Sequence, residues 1–384
     1  MPSVVVLGLV GFCFSSLPSS ASAQSDESLE LRVLTWNVWA LPTISTNLEA
    51  RVARMGAAIA EVQPQLVALQ EVWEPHHGRQ IVDDLAALGF PYAIHLFRAA
   101  AGKPGLLIAS VYPIRGERFV PFSLGRQAHT PWHVDWMAAK GVMDVEIDTP
   151  LGPLRFLNTH FQARYRTDDY ADVRAAQAAE ITADLAGARS PIVFAGDFNS
   201  PPGDFPREVL GANGFVDAAP EFGVDTVYVK DGGSLAIDVR SAEIVLELPV
   251  PLGDGIEARL SDHRGVLTTL TLTRGSGNHP PPARILSSIP ATLQKAASRT
   301  RLRTRLLGAG GVLLAVLLVL GRRLAHRPQR RRRWRVLWRV VAVLAVLPIA
   351  WLLYLAILYG PNHAGELDAM VERLSPSAAG VEPI

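Results

Sequence analysis

A chain of 384 residues that is 49% hydrophobic can bury a full core, and its single cysteine, Cys13, excludes an internal disulfide. The formal net charge of +1 conceals two opposed parts: 21 basic against 32 acidic residues over 24–274, and 16 against 4 over 275–384. The resulting −11 on the first part weighs against a protein that tracks phosphate backbones and suits one that concentrates metal cations.

Residues 1–23 read as an export signal, with an apolar core over 4–14 and Ala21-Ser22-Ala23 as a small-x-small cleavage site, although no Lys or Arg precedes the core. From residue 24 to 274, short apolar strands alternate with helical stretches, which predicts one large layered α/β domain. The first strand, 31–38, ends in Thr35-Trp36-Asn37-Val38-Trp39. A helix over 49–62 follows, with Val52, Met55, Ile59 and Val62 on one face. The strand at 66–69 runs into Gln70-Glu71-Val72-Trp73. Strands are expected at 106–110, 142–147 and 154–158, the last leading into Asn158-Thr159-His160. A helix over 168–185 has acidic residues in its first turn and Gly187 just past its end. The strand at 192–195 stops at Gly196 and presents Asp197 and Asn199, which at i and i+2 on extended backbone point the same way. Ser261-Asp262-His263 precedes a last strand at 266–272.

Beyond the domain, 275–305 is expected to be a polar linker containing Pro280-Pro281-Pro282. Two apolar runs, 306–321 and 340–359, are expected to span a membrane, and neither carries a polar face. The first is short, about 24 Å against a hydrocarbon core of roughly 30 Å, but Arg305 and Arg322 flank it and can snorkel. Between the runs, 322–339 holds nine arginines, which predicts a cytoplasmic loop and an extracytoplasmic catalytic domain; residues 360–384 form a tail. Arg299, Arg301, Arg303 and Arg305, ahead of the first run, pull against that orientation.

Singly, each polar cluster has an ordinary structural use. Asn37 can satisfy a turn, Glu71 can sit solvated at a strand end, His160 can pair inside a core, and 196–201 is rich in turn residues. Five such clusters at the ends of apolar strands in one domain point instead to a shared site. Asp262 beside His263 is a carboxylate able to orient an imidazole and raise its basicity.

In order and spacing, the asparagine of TWNVW, the glutamate of QEV, the histidine of NTH, GDFN and SDH resemble the endonuclease/exonuclease/phosphatase family, over roughly 31–272. Within it the likeness is greatest to the neutral sphingomyelinases. It rests on the NVWALP opening, on Asp135-Trp136-Met137-Ala138-Ala139-Lys140-Gly141 as a D-x-x-A-x-K-G segment, and on the paired C-terminal spans. The sequence departs from the pattern at Ile237-Asp238-Val239, where an aromatic or His usually follows the aspartate. The resemblance implies a two-sheet β-sandwich flanked by helices, four layers α/β/β/α, with the site where strand ends of both sheets meet. It also implies hydrolysis of a phosphodiester by water with Mg²⁺, or alternatively Mn²⁺, held by Glu71 with help from Asn37. His263 would be the general base, its tautomer fixed by Asp262. His160 and Asn199 would bind phosphoryl oxygens, and Asp197 would orient the water or act near the leaving group. Lys140, alternating between Asp135 and substrate, would place a positive charge near the phosphate. Phe119, Phe122, Trp132 and Trp136 are ordinarily core residues, but aromatic faces attract a quaternary ammonium, and Trp132 is the candidate for lipid-headgroup contact. The expected substrate is a membrane phospholipid, sphingomyelin above others, with no nucleic acid partner. An exported nuclease of the same family is the second reading and an inactive membrane-anchored binding module the third.

Overall fold

The computed structural model describes residues 27–373 apart from 100–101, 126–134, 136–137, 167–168, 234, 276–287 and 326–331. The export-signal segment 1–23, Trp132 and Trp136 lie outside the described residues. In chain order the elements are β1 (Ser28–Ala40), α1 (Leu48–Glu61), β2 (Leu66–Val72), α2 (Pro75–Ala87), β3 (Tyr92–Leu96), β4 (Leu106–Ser110), β5 (Ile114–Pro121), β6 (Gly141–Thr149), β7 (Gly152–His160), α3 (Ala171–Asp184) and β8 (Ile192–Asp197). They continue with α4 (Phe205–Ala212), β9 (Val216–Asp217), β10 (Asp225–Lys230), β11 (Leu235–Val245), β12 (Val250–Gly253), β13 (Ile256–Ala258), β14 (Gly265–Arg274), α5 (Ser288–Ala325), α6 (Arg332–Tyr354), a π-helical turn over Leu355–Tyr359, and α7 (Gly360–Arg373).

Two six-stranded mixed sheets, β11-β14-β1-β2-β4-β3 and β5-β6-β7-β8-β10-β9, face each other, and β12-β13 is a separate hairpin. Strand alternation sorts the side chains into layers. Leu31, Val33, Leu66 and Ala68 of the first sheet meet Val145, Phe156, Val193 and Val227 of the second in the central layer. Leu34, Trp36, Val67 and Leu69 turn outward and are covered by Val52, Met55 and Ile59 of α1 and Ile81 and Leu85 of α2. Leu157, Phe194 and Tyr228 turn outward on the other side, under α3 and α4. Phe119 packs against the central layer, and Phe122 against the outer one, edge-on to Phe161 with ring centroids 5.2 Å apart. Both are used for packing.

The expected four-layer sandwich is therefore present. The elements absent from the sequence reading are mainly polar or half-exposed: α2 opens on Pro-His-His-Gly-Arg, and β5 alternates exposed charges.

β7 and β8 run parallel and unusually close at Gly196, where a Cβ would lie 2.4 Å from the Thr159 carbonyl oxygen. Replacing Gly196 with Ala is thus expected to destabilise the domain by about 1–3 kcal/mol through overpacking. Thermal melts would show it as a fall of about 2–4 °C per kcal/mol.

The C-terminal part differs from expectation in one respect. The stretch assigned to a linker, 275–305, is helical from Ser288 onward, because α5 is 38 residues long and its first turns are docked on the domain. Leu293, Ala296 and Ala297 of α5, with Leu367 and Met370 of α7, enter the same buried cluster as Val173 and Ala176 of α3. Apolar residues at helical spacing find a partner face there only because the tail, 360–384, folds back as α7 over Gly360–Arg373. Close approach of the two arms uses small residues: a Cβ on Gly308 would meet Ala356, and one on Gly360 would meet Thr304. Away from the domain the hairpin is bare, with Val312, Leu313, Val343, Leu344 and Leu347 exposed. Among the described residues two segments, Pro290–Leu324 and Val336–Glu372, are long and apolar enough to cross a membrane.

Candidate active site

The alternation that builds the central layer also builds the site. On β1, residues 31 and 33 face the other sheet, so Asn37 does too; on β7, Phe156 sets the phase for Asn158 and His160; on β8, Val193 and Ala195 set it for Asp197; on β10, Val227 sets it for Asp225. The parallel pairs β1–β2 and β7–β8 end at one edge of the sandwich. β10 runs antiparallel to β8, so its first residue, Asp225, lies opposite the last of β8, Asp197. Beneath them a polar rivet joins the sheets. Gln70 donates to Thr35 at 3.2 Å and to Asn158 at 2.8 Å, and Asn158 donates to the carbonyls of Leu69 and Leu107 at 2.8 and 2.9 Å.

Glu71 would follow the alternation away from the site, but its backbone is left-handed, with φ +63°. That conformation is costly for a glutamate and clusters with function. Here it re-aims the carboxylate inward. Asn37 Nδ2 then bridges Glu71 Oε1 and Asp197 Oδ2, both at 3.0 Å. His160 Nε2 lies 4.0 Å from Glu71 Oε1 and 3.5 Å from Asp197 Oδ2, and His263 Nε2 lies 3.9 Å from the same Asp197 oxygen. Asn199, also left-handed at φ +49°, donates its backbone N–H to Asp197 Oδ1 at 2.9 Å and its amide to the Phe161 carbonyl at 3.1 Å.

His263 is held from two sides. Ser261 Oγ donates to the Asn37 carbonyl at 2.7 Å and accepts from the His263 N–H at 3.1 Å, which ties the loop to β1. The ring's Nδ1 meets Asp225 Oδ2 at 2.7 Å. A carboxylate only accepts, so Nδ1 carries the proton and Nε2 faces the other residues of the site. This corrects the expectation that Asp262 fixes the tautomer: Asp262 is exposed and points back at Ser261. Asp262 and His263 lie in a bend ahead of β14, where the Asp262 carboxylate turns to Ser261 and solvent, and a partner from β10 takes the role. Asp225 was missed because an aspartate leading Thr-Val-Tyr-Val reads as a turn residue; only the β8–β10 register reveals it. Asp238 sits exposed on β11, far from this edge of the sheet.

Lys140 and Asp135 are both buried and form an ion pair at 3.1 Å, angled so that the ammonium lacks a well-formed hydrogen bond. Asp135 is itself anchored by the Ala163 N–H at 2.6 Å and by Gln162 at 3.1 Å, and Gln162 is steadied by Gln177 at 3.0 Å. Arg174, fully buried, donates to Ser200 and Asp204 and pins the loop after β7 to the loop after β8.

Burial dominates the electrostatics. It disfavours charge on His263, but the carboxylates of Asp225, then Asp197 and Asp262, override it and push the imidazole up to about 10. His160 is driven the other way, to about 4, by burial and by the Lys140 charge. Glu71 is raised by burial, partly offset by the Asn37 hydrogen bond. The two histidines are thus set apart, His160 as a neutral ligand or donor and His263 as the basic one, the division expected of an acid–base site.

Among the described residues two groups of side chains have the spacing to hold a metal ion, and one of them, Asp197-Asp225-His263, lies here. Within that group Asp225 Oδ2 is engaged by His263 Nδ1, although Asp225 Oδ1 is buried without a partner, and Asp197 is the carboxylate that Asn37 ties to Glu71. Beside it, Glu71 Oε2 is buried with no hydrogen-bond partner. An orphaned carboxylate oxygen next to a second carboxylate fits a hard divalent cation with oxygen ligands. Glu71 and Asp197 would hold such an ion, with Asn37 fixing both carboxylates. Of the residues expected at the site, Asn37, Glu71, His160, Asp197, Asn199 and His263 converge and Lys140–Asp135 flank them; Asp262 does not reach, and Trp132 lies outside the described residues.

Over 187 residues the chain is 31% identical to a putative neutral sphingomyelinase of Drosophila melanogaster, covering 47% of this chain and 42% of the relative. It is 33% identical over 200 residues to the inositol phosphosphingolipids phospholipase C of Schizosaccharomyces pombe, covering 50% and 47%, and 28% identical over 182 residues to human sphingomyelin phosphodiesterase 2, covering 46% and 43%. The chain thus spans less than half the length of each of these relatives. Among solved structures, sphingomyelinase C from Streptomyces griseocarneus is 19% identical, covering 63% of this chain and 99% of its own, with a TM-score of 0.48. The model of the Endonuclease/Exonuclease/phosphatase family matches residues 34–285, about two thirds of the sequence and a range that includes the five polar clusters on which the site is built: the chain belongs to the Endonuclease/Exonuclease/phosphatase family.

Proposed function

We propose that the protein is a membrane-tethered, divalent-metal-dependent phosphodiesterase that hydrolyses a phosphosphingolipid, with sphingomyelin as substrate and ceramide and phosphocholine as products. The observation that carries the reading is the convergence of Glu71, with its orphaned oxygen, and the Asp225–His263 pair on the two sides of Asp197. Similarity to sphingomyelin- and inositol-phosphosphingolipid-acting relatives supports the substrate class. The bare helical hairpin supports the tether, which raises the effective concentration of a bilayer substrate. The nine arginines of 322–339 support an extracytoplasmic catalytic domain.

Mg²⁺ bound through Glu71 and Asp197 would neutralise charge on a non-bridging phosphoryl oxygen. The chain's own groups do the rest. His263 Nε2 takes the proton of the attacking water while Asp225 holds the ring in the required tautomer, a contribution of about 10²–10⁴-fold. Neutral His160 and the Asn199 amide donate to phosphoryl oxygens, and the Lys140 ammonium, short of a good hydrogen bond, turns from Asp135 toward the phosphate.

The test is product analysis with the full chain in lipid nanodiscs. Mg²⁺-dependent release of phosphocholine from sphingomyelin is expected, abolished by EDTA. Cleavage of inositol phosphoceramide alone would reassign the headgroup, and cleavage of DNA with no lipid turnover would refute the lipid reading. Trp132→Ala is expected to lower turnover of bilayer sphingomyelin several-fold while sparing a short-chain soluble analogue. Equal losses on both would remove this residue from headgroup or bilayer contact.

A further inference from the structure

The second group of side chains with metal-ligand spacing is Glu49, His76 and His77, whose ligand atoms all lie within 4.8 Å of one another. Glu49 stands in the first turn of α1, and His76 and His77 in the first turn of α2. None of the three contributes to the chemistry above. His77 Nε2 faces Glu49 Oε1 at 2.9 Å, and His76 Nε2 lies 3.9 Å from the same oxygen, with the two rings tilted together at a centroid separation of 3.9 Å. The side chain of His77 is only 2% exposed, whereas His76 and Glu49 are 58% and 74% exposed. One ring is thus fixed by packing, and two exposed side chains converge on it from the solvent side.

We propose that Glu49, His76 and His77 form a second cation site, selective for a transition metal of the zinc class. Two imidazoles and one carboxylate are the ligand types such ions prefer, and three protein ligands leave one position for water. Mg²⁺, which demands near-octahedral oxygen ligands, is disfavoured by the same set. The two ion types would thus sort between the sites: oxygen-rich Glu71 and Asp197 for the hard cation, the nitrogen-rich helix junction for the softer one.

The junction is also placed to matter. α1 and α2 pack so closely that a Cβ on Gly56 would lie 2.6 Å from Asp84 Cβ. Arg51 of α1, buried, donates to the carbonyls of Val38, Trp39 and Leu260, which flank Asn37 and the Ser261–His263 loop. α2 begins four residues after Glu71. An ion bridging the two helix starts would clamp the elements that carry the metal-facing half of the active site.

The experiment is calorimetric titration of the full chain in detergent with Zn²⁺, in excess Mg²⁺, with Co²⁺ absorption as a second readout. One equivalent is expected to bind and to raise the melting temperature. His76→Ala and Glu49→Gln, both at exposed positions, should each weaken binding by at least about 100-fold, since even outer-shell partners of a metal are worth about 10–100-fold. Glu71→Gln should leave it intact. Absence of Zn²⁺ binding, binding indifferent to His76→Ala and Glu49→Gln, or binding lost in Glu71→Gln would each overturn the proposal.

Discussion

Replacing Asp225 with Asn is expected to lower kcat by about 10³–10⁴, as loss of the carboxylate behind a catalytic imidazole does in acyl transfer. The loss comes from the ring. Asp225 Oδ2 accepts the His263 Nδ1 proton at 2.7 Å, and an amide can offer its N–H there instead, which selects the tautomer with the proton on Nε2, the atom that must receive one. The pH profile separates this from simple misfolding. Burial lowers the affinity of His263 for its proton, while Asp225 is the foremost of the carboxylates that raise it to about 10 in the metal-free site. Removing that negative charge lets the imidazole lose its proton at lower pH. The acidic limb of the rate profile should therefore move to lower pH even as the plateau falls: more free base, worse catalyst. Asp262→Asn is the control. Asp262 is exposed and lies behind Asp225 and Asp197 among the groups that raise His263, so its loss should shift the limb little and change kcat by less than about 10²-fold, the bottom of the range for a positioned base. Measuring both variants in one buffer series decides between the two carboxylates.

That contrast marks where sequence reading succeeds and where it stops. Asn37, Glu71, His160, Asp197 and His263 could be picked out because each lies at or beside the end of an apolar strand, and the pattern of those strands is local information. Their convergence is not local; it depends on two sheets facing each other with β1, β2, β7 and β8 ending at one edge. Asp225 belongs to this second kind of information. Its strand was invisible as a site element, and its role follows only from lying opposite Asp197 in an antiparallel ladder. Asp262 shows the complementary limit, since nearness in sequence to His263 is not nearness of its carboxylate to the ring nitrogen. The helical start of α5 was hidden likewise. Leu293, Ala296 and Ala297 have no visible reason to be helical until α7 and α3 supply the surface that buries them.

Glu71→Gln is expected to separate stability from function. In the absence of divalent cation the variant should melt higher than the parent. The Glu71 carboxylate is buried, its Oε2 has no partner, and Asp197 lies close by, so the ionised form is disfavoured in the fold and its proton affinity is raised above the ordinary value. The sign follows from linkage. A carboxyl group that holds its proton more tightly folded than unfolded subtracts stability as pH rises from its unfolded pKa, and the penalty is complete once pH has passed its folded pKa. Glutamine has no charge to desolvate, and its oxygen can still accept from Asn37 Nδ2. Each 1 kcal/mol of relieved desolvation should raise the melting temperature by about 2–4 °C. Adding Mg²⁺ should then reverse the order: the parent gains stability by mass action, whereas the variant, lacking one of the two carboxylates at the site, gains little. Turnover should fall by about 10²–10³ or more, the scale of removing one electrostatic contact to a developing charge. A melting curve with and without Mg²⁺, paired with an initial rate, reads all three effects. A variant that loses activity yet keeps the full Mg²⁺-induced shift would move the ion away from Glu71, and with it the assignment of the strained β2 terminus as a metal cradle.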